Sequence, residues 1–184
     1  MTETSIALSK IFDGWDGYNL SILHAIQPLT QEQLAWRPAP NLRSVGEVAS
    51  HIAFGRIGWF SRMQAPGSQE LKIKAEALGS ESAIAGNKDL VARWLEDSWQ
   101  MVANTLSQWT VEDLWRTIRQ EYGGKVYLVS YQWIMWRIMT HDVHHGGAMA
   151  VMLGMQGVSL PELGDQGGHI TWSPLADEPW YMNE

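Results

Sequence analysis

The chain has no cysteine, few basic residues and no long apolar run, and each absence excludes a class of protein. Without cysteine, its 184 residues form neither a disulfide framework nor a thiolate metal site, so a metal ion must take nitrogen and oxygen ligands. The 13 Lys and Arg form no run, and the net charge of -7 argues against a nucleic-acid surface. No stretch reaches the roughly 18 apolar residues that a membrane-spanning helix needs.

Composition indicates a single globular domain over residues 1–184. Hydrophobic residues make up 45% of the chain and charged residues 18%, which is typical of a globular protein with one core. The first ten residues lack the basic start and apolar run of a signal peptide, so the default prediction is a cytoplasmic location.

Apolar residues recur at helical spacing in four long segments. The first covers about residues 5–27, the second begins at a capping box formed by Ser44 and Glu47, the third covers about 88–107, and the fourth follows Ser130 to about 155. Residues 65–86 are predicted to be a long connection, 117–130 a small hairpin, and 158–184 an irregular tail. This pattern predicts an all-α fold, a four-helix bundle over about residues 5–157.

The fourth segment contains the sequence His-Asp-Val-His-His at residues 141–145. His141 and His145 are four residues apart, so both project from one face of a helix and can bind one metal ion. His144 is rotated by about 100° from His145. We therefore predict His141 and His145, rather than His144, as ligands.

His51 is the candidate for a third ligand. It lies three residues after Val48 and beside Ile52 in the apolar stripe of the second helix, so it is expected to face inward. Three protein ligands with one open position are typical of catalytic rather than structural zinc sites. His51, His141 and His145 thus predict an open metal site inside the bundle.

Two motifs resemble a known family. The stretch from Trp136 to Gly147, continuing to Gly157, is similar to the last-helix signature of the DinB/YfiT-like superfamily of metalloenzymes, and residues 50–52 resemble its first ligand motif. The resemblance covers about residues 5–157.

The resemblance implies an up-down-down-up four-helix bundle, often a homodimer, with a divalent metal held by His51, His141 and His145. The family includes thiol transferases and isomerases that use low-molecular-weight bacterial thiols, such as mycothiol-dependent maleylpyruvate isomerase and bacillithiol transferases. It thus implies a small-molecule substrate, with a small thiol as a candidate partner, and does not identify the reaction.

Three functions stay open. The first is a metal-dependent enzyme, which would be either a thiol-dependent S-transferase or isomerase acting on a small electrophile, or a hydrolase. A metal ion in an open site with three neutral imidazoles lowers the pKa of a bound water or thiol, which favours such reactions. The second is a non-catalytic metal- or ligand-binding bundle, and the third a dimerising helical module without metal. Three imidazoles suit several metals; zinc is the first choice and nickel the next.

Other polar residues have competing interpretations. Asp142 either orients an imidazole or is solvated or ion-paired between helices, and Glu47 is either a helix cap or a base near the metal. Arg137 is expected to form a structural ion pair or to bind an anionic substrate group. His24 and His169 are interpreted as ordinary polar residues.

Overall fold

The computed structural model describes residues 5–171 and is mostly helical. Its elements in chain order are α1 (Leu8–Ile11), α2 (Trp15–Ile26), α3 (Gln31–Ala35), α4 (Val45–Arg62), α5 (Ser68–Ala77), α6 (Lys88–Gln108), β1 (Thr117–Tyr122), β2 (Lys125–Ser130) and α7 (Tyr131–Gly154). Short 3-10 turns lie at Glu81–Ala83 and Val111–Trp115, and a π turn at Pro161–Asp165. No helix within the described range is long and apolar enough to span a membrane.

The N-terminal segment does not form the one long helix predicted over residues 5–27. It divides into α1 and α2 around Gly14, which adopts a φ of 89°. Glycine takes this left-handed conformation without the steric cost that other residues incur, and a left-handed residue cannot continue a right-handed helix. The apolar spacing runs through the break, so periodicity alone did not reveal it.

The capping box predicted at the start of α4 is confirmed. The Ser44 hydroxyl accepts a hydrogen bond from the Glu47 backbone amide at 3.2 Å, and the Glu47 carboxylate accepts one from the Ser44 amide at 2.7 Å. These bonds satisfy two of the free amides at the helix start and fix where α4 begins.

The connection over residues 65–86 contains helix α5 and the turn Glu81–Ala83, which the prediction of a plain connection missed. Within α5 only Ser68 is fully buried. A helix that buries so little needs no apolar stripe, so periodicity does not reveal it. The connection then passes close to the start of α4, where a Cβ on Gly46 would collide with the backbone oxygen of Ala85. This approach holds the turn Glu81–Ala83 beside α4.

The predicted hairpin and the last two long helices are present. Strands β1 and β2 pair antiparallel with Tyr122 opposite Lys125, and Gly123 and Gly124 between them have φ values of 57° and 71°. The Ser130 hydroxyl accepts a hydrogen bond from the Trp133 amide at 3.2 Å and caps α7.

Helix α4 packs against both α6 and α7, and α2 packs against the same two helices. The core between them contains fully buried residues from each: Ile22, Ile52, Leu95, Ile138 and Leu153. After α7, residues 158–171 contain only the π turn, whose Leu163 is buried. The rest of the predicted tail, residues 172–184, lies outside the described residues.

Candidate metal centre

The structure brings His51 of α4 together with His141 and His145 of α7. The His51 ring centroid lies 5.0 Å from that of His141 and 4.8 Å from that of His145, and the two α7 rings are 4.4 Å apart. One ring nitrogen of each histidine lies within 4.8 Å of the others, and all three residues are half-buried. These are the three residues that the sequence predicts as ligands.

Gly55 makes room for one of the three rings. It lies one turn after His51 on α4, and a Cβ at this position would lie 2.7 Å from Cε1 of His141 and 3.2 Å from Nε2. The imidazole of His141 therefore occupies space that any other residue at position 55 would fill. The apolar stripe of α4 places residue 55 facing inward, but only the packed helices show why it is glycine.

Glu81 contacts the cluster, and sequence reasoning missed it. Its carboxylate lies 2.9 and 3.1 Å from Nδ1 of His51 and also accepts a hydrogen bond from Arg43 at 3.3 Å. The hydrogen bond with His51, helped by the charges of His51 and Arg43, lowers the pKa of Glu81 against the effect of its burial. No spacing signal links residue 81 to residue 51, because the contact depends on how the connection folds.

The hydrogen bond with Glu81 determines which nitrogen of His51 can bind a metal. A carboxylate that accepts a hydrogen bond from the Nδ1–H group fixes the tautomer and leaves the lone pair of Nε2 free. Histidine ligands of metals commonly have such a carboxylate partner on the other ring nitrogen. Glu81 is thus suited to orient His51 as a ligand.

His141 and His145 also have nitrogens available. Nδ1 of His141 is buried and has no hydrogen-bond partner among residues 5–171; the nearest carboxylate oxygen, Oδ1 of Asp142, is 3.7 Å away. Burial, followed by the charges of the neighbouring histidines, lowers the pKa of His145 to about 4. His145 is therefore neutral at physiological pH, as a metal ligand must be.

Asp142 is fully buried and forms an ion pair between helices, so the solvated alternative is wrong. Its Oδ2 accepts hydrogen bonds from Nε of Arg56 at 2.8 Å and from the indole of Trp15 at 2.9 Å. Arg56, also fully buried, donates to Oδ1 of Asn19 at 2.7 Å. This network joins α2, α4 and α7 directly beside His141.

The other candidates lie outside the cluster. His144 is exposed and is not part of the three-histidine group, although its ring is 4.8 Å from that of His145. Glu47 caps α4 and pairs with Arg37 at 3.3 Å. His24 lies 2.6 Å from a carboxylate oxygen of Glu162 in a separate, exposed contact.

Arg137 has no acidic partner among residues 5–171, so the predicted structural ion pair is not found there. Its guanidinium instead lies 5.4 Å from the ring of Trp59 and 5.2 Å from the ring of Trp133. Its charge remains available to a ligand. His169 is exposed and is not part of the metal-binding group.

The donor set fits a divalent transition metal. It consists of three nitrogens on half-buried imidazoles. His51 is oriented by a carboxylate, His145 is neutral, and His141 has a buried Nδ1 without a hydrogen-bond partner among residues 5–171. A tetrahedral ion at about 2.0–2.1 Å from each nitrogen requires them about 3.4 Å apart, so the rings need to close by roughly 1 Å.

Comparison with known proteins gives a family and a fold. The model of the DinB superfamily matches residues 21–149, more than half of the chain and all three histidines. The structure is similar to the crystal structure of a DinB-like protein from Bacillus cereus, with a TM-score of 0.65 and 18% sequence identity over 86% of this chain and 98% of that chain. None of the curated proteins matches the chain.

Proposed function

Because the chain belongs to the DinB superfamily, we propose that it is a divalent-metal-dependent enzyme whose metal is held by His51, His141 and His145. The observation that carries this proposal is the convergence of three imidazole nitrogens within 4.8 Å. Zinc is the first choice and nickel the next, since both accept imidazole ligands. Three protein ligands leave a coordination position for a substrate or water.

The proposed reaction is transfer of a low-molecular-weight thiol to a small electrophile, or thiol-dependent isomerisation of that electrophile. A divalent ion held by three neutral imidazoles supplies a positive charge that lowers the pKa of a bound water or thiol. The protein holds this charge in a half-buried site, where the surrounding water screens it less. Since the chain has no cysteine, the thiol must come from outside.

The proposal includes the arrangement of the helices, in which a single domain over residues 1–184 forms an up-down-down-up bundle of α2, α4, α6 and α7. Contacts between α4 and α7 support it. His51 meets His141 at one level, and the Trp59 and Trp133 rings meet 5.8 Å apart two turns away. The residue numbers rise along α4 while they fall along α7, as expected for the second and fourth helices of this arrangement.

A homodimer is part of the proposal. Apolar side chains are exposed along one face of α7, at Trp136, Val143, Val151 and Met155. Exposed apolar side chains grouped on one helix face are typical of a protein interface.

The alternative is a bundle that binds a metal or a ligand without catalysis. One observation favours it: Glu81, the carboxylate hydrogen-bonded to the histidine cluster, is already paired with both His51 and Arg43. A general base needs an accessible acceptor within reach of the substrate proton. In this alternative Glu81 only orients His51.

Metal content and turnover separate these functions. We expect protein purified from zinc- or nickel-supplemented medium to contain stoichiometric metal, and His141→Ala and His145→Ala to lose it. His144→Ala is the matched control, because it removes an adjacent imidazole outside the cluster, and it should retain the metal. Metal should be measured by mass spectrometry of the intact protein, and folding by circular dichroism.

The metal-loaded protein should then be assayed with several small bacterial thiols and an electrophile. Turnover above the uncatalysed rate, lost in His141→Ala, supports the enzyme. Stoichiometric metal without turnover supports the non-catalytic alternative. Absence of metal from the wild-type protein would exclude both the metal-dependent enzyme and the metal-binding form of the alternative.

A further inference from the structure

A cleft of about 710 Å³ lies between α4, α7 and the β1-β2 hairpin. We call it the tryptophan-arginine cleft and define it by Trp59 and Arg62 of α4, Gln120 of β1, and Trp133 and Arg137 of α7. Pockets that bind small molecules usually measure roughly 300–1,000 Å³. The cleft is thus large enough for a ligand with one or two rings.

Two arginines give the cleft a positive charge. The guanidinium of Arg62 lies 4.3 Å from the ring of Trp59, and that of Arg137 lies between Trp59 and Trp133. No carboxylate lines the cleft, and within residues 5–171 neither arginine forms an ion pair. In a chain with a net charge of -7, two cations that lack an acidic partner among residues 5–171 favour an anionic ligand.

The walls favour a flat apolar body on that ligand. The rings of Trp59 and Trp133 meet edge to face at 5.8 Å, and Tyr127 of β2 adds a third aromatic side chain. Aromatic faces bind planar rings and conjugated systems by stacking and edge contacts.

Gln120 supplies a polar group that lacks a partner. Its Oε1 is buried and accepts no hydrogen bond within the described part of the chain. An unsatisfied buried acceptor costs free energy, and a turn of the Gln120 side chain into the cleft would let a ligand hydroxyl or N–H offset that cost by donating a hydrogen bond to it. The cleft therefore offers cations, aromatic faces and one acceptor.

The cleft and the histidines both lie between α4 and α7, although no histidine lines the cleft. Arg137 and Trp133 lie four and eight residues before His141, and Trp59 lies eight residues after His51. At 1.5 Å per residue, Arg137 is about 6 Å from His141 along the helix axis. Along the helix axis, Arg137 therefore lies between the histidines and the level of Trp59 and Trp133.

We propose that the tryptophan-arginine cleft binds the carboxylate and planar body of an aromatic or conjugated acid that carries a hydroxyl group. Binding in the cleft does not rest on the proposed metal-dependent function. Arg137 pairs with the carboxylate, Trp59 and Trp133 contact the planar body, and Gln120 accepts the hydroxyl hydrogen bond.

Isothermal titration with 6-hydroxy-2-naphthoate tests the binding, using the full chain both metal-free and zinc-loaded. We expect both forms to bind this probe, and 2-naphthol, which lacks the carboxylate, to bind at least about tenfold more weakly, because the charge-assisted contact is lost. Quenching of tryptophan fluorescence provides a second readout.

Variants identify the residues involved. Arg137→Gln should weaken binding of the probe by about tenfold or more, and Arg137→Lys should retain part of the affinity, since lysine keeps the charge but loses the planar fork. Arg93→Gln removes the same charge from the exposed face of α6, outside the cleft, and should bind like the wild type. Circular dichroism of each variant verifies the fold.

The outcomes separate this proposal from the metal site. Arg137→Gln should retain the zinc affinity of the wild type, and His141→Ala should bind the probe while losing zinc. The proposal is wrong if the wild type does not bind 6-hydroxy-2-naphthoate, if it binds 2-naphthol equally well, or if Arg137→Gln binds the acid as tightly as Arg93→Gln does.

Discussion

Glu81 is the residue whose removal should affect the metal site without removing a ligand. Glu81→Gln keeps the size of the side chain but loses the charge that holds the Nδ1 proton of His51. We expect the affinity for zinc to fall by about 10- to 100-fold, the usual effect of removing a carboxylate behind a histidine ligand. Competition with a chromogenic chelator measures this affinity.

The matched control for Glu81→Gln is Glu76→Gln. Glu76 is an exposed acid of α5 that lies 3.7 Å from Lys72, away from the cluster. Glu76→Gln should leave the zinc affinity unchanged, because it changes the net charge by the same amount as Glu81→Gln but removes no contact with a histidine. Equal zinc affinities for the two variants would show that Glu81 does not support the site.

His145 gives the site a defined dependence on pH in the metal-free protein. Its pKa falls from 6.5 to about 4 on folding, mainly because burial disfavours the charged ring. Between these values the unfolded chain binds a proton that the folded chain does not, so the free energy of unfolding decreases as the pH falls through this window. Above about pH 6.5 the residue contributes no pH dependence.

Urea unfolding at about pH 7 and about pH 5 measures this effect. We expect His145→Asn to lose less stability between these two conditions than the wild type, because the ring with the lowered pKa is gone. His144→Asn, at the exposed neighbouring position, should lose as much as the wild type. A decrease in His145→Asn as large as that of the wild type would contradict the assignment.

At the level of single residues, spacing predicted the histidine group but not its partners. His141 and His145 are one turn apart, and His51 occupies an apolar stripe, so periodicity alone identifies all three. Glu81 approaches His51 from a connection with no regular pattern. Its role depends on a tertiary contact, which periodicity cannot reveal.

At the level of elements, the close approach of α4 to α7 depends on Gly55. In Gly55→Ala the added methyl would meet the imidazole of His141 at 2.7 Å, so the ring must move. We expect a loss of zinc affinity and of stability, although alanine by itself favours a helix by about 1 kcal/mol over glycine. Chelator competition and thermal unfolding measure the two effects.

Gly58→Ala is the control on the same helix. A Cβ at residue 58 meets nothing within 4 Å in the described structure, so only the gain in helix propensity should appear. We expect this variant to be more stable than the wild type and to bind zinc equally well. If the two alanine variants behaved alike, the contact between Gly55 and His141 would not constrain the site.

Elements with strong local signals were predicted well and the others were not. The capping box defined the start of α4, and Ser130 with the paired glycines defined the hairpin and the start of α7. The break at Gly14 and helix α5 were missed. A left-handed glycine leaves the surrounding periodicity intact, and a helix that buries little shows no apolar stripe.

At the level of the whole molecule, the proposed homodimer makes a prediction about mass. Val151 is 65% exposed on the apolar face of α7, and Val151→Glu places a charge in the expected interface. We expect the wild type to elute with twice the 20.8 kDa chain mass and the variant to dissociate. Size-exclusion chromatography with light scattering measures the mass.

Ile73→Glu is the control for the dimer. Ile73 is 67% exposed on α5, so the same substitution adds the same charge away from α7. This variant should have the mass of the wild type. A monomeric wild type at tens of micromolar would show that the homodimer prediction is wrong.

The sequence by itself determined the helical class, the family resemblance and the three histidines, because helical periodicity and ligand spacing are local properties that a chain carries before it folds. The tertiary structure decided the rest. It placed Glu81 beside His51, buried Asp142 against Arg56 and packed His141 against Gly55. It also placed Arg137 in a cleft beside two tryptophans, without an acidic partner among residues 5–171. These contacts join residues distant in the chain, and only the packing of α4 against α7 and the connections determines which of them meet.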